Sequence, residues 1–260
     1  MRDKVDSPII QVEGLTAGYD QTIVLRDVSF AVHRSEILAI LGGSGCGKST
    51  LLNAMIGLLE PMAGTILIDG QDIVTADDLE RERILATFGV AFQGGSLFGS
   101  MTALENVALP LEEFSDLPAE AVDWIAAMKL RLVGLEGFEY YRPSELSGGM
   151  RKRAALARAM AMDPKILFLD EPSAGLDPVT AAQLDELILQ VSQGLGVTCV
   201  MITHEVASVL ALADRAIFLD KTARGIVAQG RPADLRDDPS NAPVWQFFNR
   251  KTKNKGTGKA

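Results

Sequence analysis

The sequence predicts an α/β fold: a parallel sheet covered by helices on both faces and interrupted by an all-helical insertion. Three observations predict it. KILFLD (165–170) is a continuous apolar run, the pattern of a central strand buried on both faces. Helix and strand patterns alternate from that run to about residue 220, as parallel βαβ units require. Between about 98 and 162 the strand pattern vanishes and apolar residues recur at helical spacing instead.

Each element has its own local reason. IIQVEGLTAGY (9–19), TIVLRDVSFAVH (22–33) and EILAIL (36–41) are rich in Ile, Val and Leu, with Gly or Asp at the breaks, and read as strands. A glycine-rich turn follows, then an apolar helix KSTLLNAMIGLL (48–59) that Pro61 ends. GTILIDG (64–70) and TFGVAF (87–92) read as further strands. In LPAEAVDWIAAMKLRLVGL (117–135), Val122, Ile125, Met128/Lys129 and Leu132 fall on one helical face, and Pro118 suits a first turn. A second helix is expected from Ser147 towards Met162, stopping before Pro164. After 165–170 come a helix (178–191), a strand (197–203), a helix (204–213) and strands at 215–220 and 225–230. The expected organisation is one domain over 1–248. Its core is 1–97 and 163–240, its helical subdomain is 98–162, and 241–260 form a C-terminal segment and tail.

Composition narrows the function. At 260 residues, with 47% hydrophobic and 23% charged side chains, the chain can bury a full domain core. No apolar run approaches the roughly 18–20 residues needed to span a bilayer, so any membrane role is expected to depend on other chains. The start, MRDKVDSPII, lacks a secretory pattern. Cys46 and Cys199 form neither a disulfide framework nor a metal-ligand spacing, which points to a reducing cytosol. Residues 249–260 hold five of the 25 Lys/Arg and none of the 34 Asp/Glu. The rest therefore carries a net charge of −14, from 20 basic against 34 acidic side chains. So acidic a body argues against nucleic-acid binding. The basic tail is either a solvated terminus or a contact for anionic lipid head groups.

Three motifs carry chemistry. GGSGCGKST (42–50) fits G-x-x-x-x-G-K-[ST] between a strand and a helix. Glycines let the backbone wrap a polyphosphate with its N–H groups inward, and the helix N-terminus adds positive charge. Gly42, Gly43, Ser44, Gly45, Cys46, Gly47, Lys48, Ser49 and Thr50 are the expected ATP cradle. Lys48 would reach the β- and γ-phosphates, and Ser49 would ligate Mg²⁺. ILFLDE (166–171) puts Asp170 at the end of a buried strand, where ligands bind in open α/β sheets, as a Mg²⁺ ligand. Glu171 offers a second carboxylate where an attacking water would sit. LSGGM (146–150) supplies another anion site, with Ser147 as N-cap and the Gly148 and Gly149 N–H groups open. One cradle already covers one side of a nucleotide, so a second phosphate-binding helix start suits a nucleotide held by a partner. Beside Lys48 and a helix N-terminus, Cys46 is expected to favour the thiolate and to react with a maleimide.

In this order, and over about 9–240, these motifs resemble the ATPase subunits of ABC transporters. The resemblance implies a P-loop NTPase (RecA-like) core with an N-terminal antiparallel β subdomain and a helical signature subdomain. It implies that Tyr19 stacks on adenine, that Gln93 senses Mg²⁺ and the attacking water, and that His204 contacts the γ-phosphate. SAGLD (173–177) resembles the loop facing the opposite subunit, with Asp177 its acid. Two copies would sandwich two ATP molecules, with Glu171 as general base or water-orienting group. Met150 in place of the usual glutamine, RPSE (142–145) and GGSLFGSMTALENVALPL (94–111) resemble the ATPases of Mla/Mce-type systems, which move phospholipids or other lipids between bacterial membranes. There the stretch after the glutamine tends to read S-G-A-L-F, and Gly94–Phe98 match it in part.

The partners so implied are an integral-membrane permease pair, a membrane-anchored lipid-binding protein and a STAS-domain regulator. The implied location is peripheral, on the cytoplasmic face of the inner membrane. Leu97, Phe98 and Met101 either receive a coupling helix of the permease or belong to the core of the helical subdomain. Trp245, Phe247 and Phe248 either dock a neighbouring subunit or pack on their own domain.

Overall fold

In the computed structural model, residues 7–249 are described, so most of the basic tail expectation lies outside the described residues. Among them, two sheets form. The first is antiparallel, in the order β2 (Thr22–Val32), β1 (Ile10–Tyr19), β4 (Ala63–Ile68), β5 (Gln71–Asp72). The second has the order β10 (Gly225–Gly230), β9 (Arg215–Asp220), β3 (Ile37–Gly42), β8 (Thr198–Ile202), β7 (Ile166–Asp170), β6 (Phe88–Ala91). All its pairings are parallel except β10 with β9. β3 and β8 are wholly buried, as their unbroken apolar runs require.

Two register pairs fix where chemistry can occur. Gly42 lies opposite Leu219, and Asp170 opposite Ile202, so the glycine loop, the acid pair and the residues after β8 share one sheet edge. This is the carboxyl edge, where open α/β sheets bind ligands. Asp69 ties the antiparallel sheet to the start of β7. Its carboxylate takes Arg34 at 2.5 Å and Lys165 at 2.6 Å, and these two partners hold it below the ordinary carboxylate range.

The insertion comprises α3 (Ala103–Phe114), α4 (Ala119–Leu132) and α5 (Gly148–Ala159). Its buried residues join those of one sheet face in a single core that runs through Leu111, Ala126, Leu156 and Leu169. Gly89 in β6 permits this approach, because a Cβ there would lie 1.8 Å from the Ala159 carbonyl oxygen. The buried face of α4 differs from the expected one. Val122, Ala126, Lys129 and Leu130 are buried, whereas Met128 and Leu132 are more than 40% exposed. Alanines fill the tight contact, and Lys129 is buried with its ammonium paired to Asp163.

The remaining helices cover the core. α1 (Lys48–Met55) and α2 (Asp78–Leu85) follow β3 and β5; α6 (Pro178–Leu195) and α7 (Val206–Leu212) flank β8; α8 (Pro232–Asp237) and α9 (Ala242–Phe248) end the fold. The aromatic cluster of α9 packs mostly on its own domain. Val244 and Phe248 are buried and the Phe247 ring stands edge-on to Phe218 at 5.3 Å, leaving Trp245 outside. Among the described residues, no helix is long and apolar enough to cross a membrane.

Candidate functional site

The glycine loop leaves β3 through Gly42, whose φ of +147° and surroundings exclude a side chain. A Cβ would lie 2.4 Å from the Leu219 oxygen and 2.5 Å from Cys46 Sγ. Gly47 (φ +105°) caps α1 and would collide with Leu25. Cβ atoms at Gly43 and Gly45 would meet nothing, so the loop presents bare backbone outward there. Lys48 folds over the loop, donating from Nζ to the oxygens of Gly42 (2.9 Å) and Gly43 (3.2 Å). Ser44 and Ser49 are exposed, whereas Thr50 faces the core.

Cys46 corrects the sequence expectation. It is buried under the loop, and burial pushes its thiol above the usual value more than nearby Lys48 lowers it. Lys48 Nζ comes within 4.0 Å of Sγ, but the loss of solvent around the sulfur outweighs that cation and the helix start.

Across the gap, Asp170 ends β7 and Glu171 follows it. Burial and then the neighbouring Glu171 charge raise the Asp170 pKa, opposed by a hydrogen bond from the Gln93 N–H. That bond brings Gln93 to the acid pair, with its side chain exposed. Glu171 sits in left-handed backbone (φ +48°), rare for a residue with a side chain. Its N–H donates to Ile202 O (2.8 Å), and its carbonyl accepts from Lys152 Nζ (2.9 Å). Oε1 lies 2.8 Å from His204 Nδ1, while the buried Oε2 has no partner among the described residues. Gly42, Gly43, Ser44, Lys48, Glu171 and His204 line one open cleft of about 800 Å³.

Ser147, Gly148, Gly149 and Asp177 do not line that cleft. Ser147 caps α5 by accepting from Met150 N, and Gly149 packs so closely on α6 that a Cβ would lie 2.5 Å from Thr180 Cγ2. Asp177 caps α6, accepting from the N–H groups of Val179 and Thr180 and from the Thr180 hydroxyl, and these bonds lower its pKa. Tyr19 stands half exposed at the end of β1.

Residues 25–174 match the sequence profile of the ABC transporter family. The chain belongs to the ABC transporter family. It is 43% identical over 226 residues to the intermembrane phospholipid transport system ATP-binding protein MlaF of Escherichia coli (strain K12), covering 86% of this chain and 82% of MlaF. It is 45% identical over 197 residues to the probable ribonucleotide transport ATP-binding protein mkl of Mycobacterium leprae. That match covers 76% of this chain but 57% of mkl, so this chain spans little more than half of that relative. Among solved structures, the dimeric post-hydrolysis state of the ATP-binding cassette MJ0796, bound to ADP and Pi, superposes with a TM-score of 0.78 at 30% identity. It covers 86% of this chain and 98% of that one.

Asp170 of this ABC domain fits a magnesium ion. Its carboxylate, with a pKa raised by burial and then by the Glu171 charge, is the hard oxygen donor such an ion prefers and would stabilise. Sequence reasoning missed Lys152 and Arg158, and it singled out Phe247 and Phe248 for docking or packing without placing them at the cleft they line. A signal for the first was present. Arg151, Lys152 and Arg153 place three cations in the first turns of α5, where the helix dipole disfavours them unless acceptors are supplied.

Proposed function

We propose that this chain binds and hydrolyses ATP as the motor subunit of a transporter that moves phospholipid or a similar lipid between membranes. The observation that carries the catalytic half is the one-sidedness of the cleft. The loop, Glu171 and His204 share it, and the second anion-binding helix start does not. A second copy supplies the missing side, its Ser147 and the N–H groups of Gly148 and Gly149 closing over the γ-phosphate that Lys48 and the 42–50 loop hold.

In the loaded site, Tyr19 stacks on adenine and the exposed loop N–H groups take the phosphates. Lys48 leaves its loop carbonyls for the β- and γ-phosphates. Ser49, Asp170 and Gln93 would hold a magnesium ion, which would supply charge neutralisation on the phosphate oxygens. Glu171 Oε2, buried and without a partner among the described residues, takes the proton of the attacking water. His204 fixes Oε1 and faces the γ-phosphate. Asp177 holds the start of α6 towards the opposite subunit.

The transport half rests on similarity to MlaF and on a groove between sheet and insertion, about 180 Å³, lined by Leu85, Phe88, Val90, Phe114 and Met162. Phe98 lies 51% exposed beside Arg158, which also lines this groove. An integral-membrane permease inserts a short helix there and holds the chain at the cytoplasmic face of the membrane. A lipid-binding protein and a STAS-domain regulator complete the assembly. The mkl name favours a second reading, transport of a water-soluble solute by the same machinery.

Purification of the tagged chain with its membrane partners, followed by mass spectrometry of bound lipids, separates the two. Phospholipid enriched over bulk membrane, and stimulating ATP turnover, is expected. Stimulation by a soluble solute, with lipid at bulk composition, overturns the lipid assignment.

A further inference from the structure

Three cations open α5, and two of them serve the insertion itself: Arg151 Nη1 donates to Leu146 O (2.6 Å) and Arg153 Nη1 to Val133 O (2.9 Å). Lys152 alone of the three crosses to the core, where its Nζ donates to the carbonyl of Glu171 at 2.9 Å. That carbonyl belongs to a residue in left-handed backbone, and such a conformation persists only where its surroundings fix it. Four contacts fix it among the described residues. The Glu171 N–H donates to Ile202 O, its carbonyl accepts from Lys152 Nζ at 2.9 Å and from the Ala174 N–H at the longer 3.3 Å, and His204 meets one carboxylate oxygen.

The same ammonium is partly buried. Burial lowers its pKa, and the Asp170 and Glu171 carboxylates counter that by favouring its charge. Lys152 is therefore held by both the backbone and the charge of the acid pair.

We propose that Lys152 is a positioning residue that ties the partner-facing start of α5 to the Glu171 peptide of its own chain. Ser147 and Lys152 lie five residues apart on one rigid helix, roughly 7.5 Å along its axis. A second copy's nucleotide seated against Ser147 fixes α5, and through Lys152 it fixes the peptide that carries the base of this chain's own site. Hydrolysis at one site then depends on occupancy of the other. The inference rests on Glu171 acting as the base in a two-copy site.

Steady-state ATPase measurements on the full chain with its membrane partners test it, using Lys152→Met and Lys152→Arg, with Glu171→Gln as reference. For Lys152→Met, kcat is expected to fall about tenfold, with ATP affinity within about twofold and a Hill coefficient reduced to 1 from a wild-type value above 1. Lys152→Arg, which keeps a donor, is expected to recover most of the kcat and the cooperativity. Lys152→Gln, too short to span the contact, repeats the test should the methionine variant fold poorly. Wild-type kcat and Hill coefficient in Lys152→Met overturn the proposal. So does an equal loss of kcat and ATP affinity in the methionine and arginine variants. Normal hydrolysis by Glu171→Gln instead removes the assignment of the base, so the two failures are distinct.

Discussion

Gly149→Ala isolates the placement of the second anion site from its chemistry. The added methyl would lie 2.5 Å from Thr180 Cγ2, against about 3.5–4.0 Å for ordinary carbon contact, so α5 and α6 have to part by roughly 1 Å. Thr180 cannot simply rotate away, since its hydroxyl and N–H both bind the Asp177 carboxylate, at 2.5 and 3.1 Å. Overpacking of this kind costs about 1–3 kcal/mol, and the better helix propensity of alanine returns roughly 1 kcal/mol. The net is about 0–2 kcal/mol, a Tm shift of a few degrees in a chain of this size. Activity is expected to suffer far more, because a displacement of about 1 Å at a reacting centre costs on the order of 100-fold. Thermal melting and ATP turnover measured side by side show the contrast. Adding Thr180→Ser removes the colliding methyl, keeps the hydroxyl bond to Asp177, and is expected to restore most of the turnover. Wild-type turnover by Gly149→Ala, or no recovery in the double variant, refutes this reasoning.

Other outcomes follow from the same geometry. Glu171→Gln is expected to keep ATP affinity, to lose at least about 100-fold in turnover, and to accumulate an ATP-bound dimer visible by size-exclusion chromatography. Cys46, buried and with its thiol pushed up, is expected to resist maleimide in the folded chain and to label fully in denaturant; rapid labelling of the native protein counts against the loop packing. Phe98→Asp is expected to weaken capture by the permease while leaving ATP affinity and melting temperature near wild type. A co-purified complex of undiminished yield removes Phe98 from the docking face.

The parts most legible in the sequence are those where one local rule decides. KILFLD had to be a central strand, and the 42–50 loop had to follow a strand and open a helix, because glycine spacing and unbroken apolarity have few other outcomes. α3 escaped notice because Pro110 lies inside it; the capping box of Thr102 and Glu105 is the local signal that would have started it. The buried face of α4 keeps the expected Val122 and Lys129, and tertiary packing turns it to take in Ala126 and Leu130 in place of Met128 and Leu132. Cys46 shows the limit most clearly. Its neighbours in sequence argue for reactivity, and only the fold reveals that Gly42 and the sheet edge cover its sulfur. The meeting of Lys152 with Glu171 joins residues nineteen apart across two subdomains, beyond any local pattern.

A cryo-EM structure of the Glu171→Gln protein with Mg-ATP, bound to its membrane partners, tests the shared site most directly. The result expected is two nucleotides, each between Lys48 of one copy and Ser147 of the other. A nucleotide enclosed by one copy, with both Ser147 side chains in solvent, contradicts it.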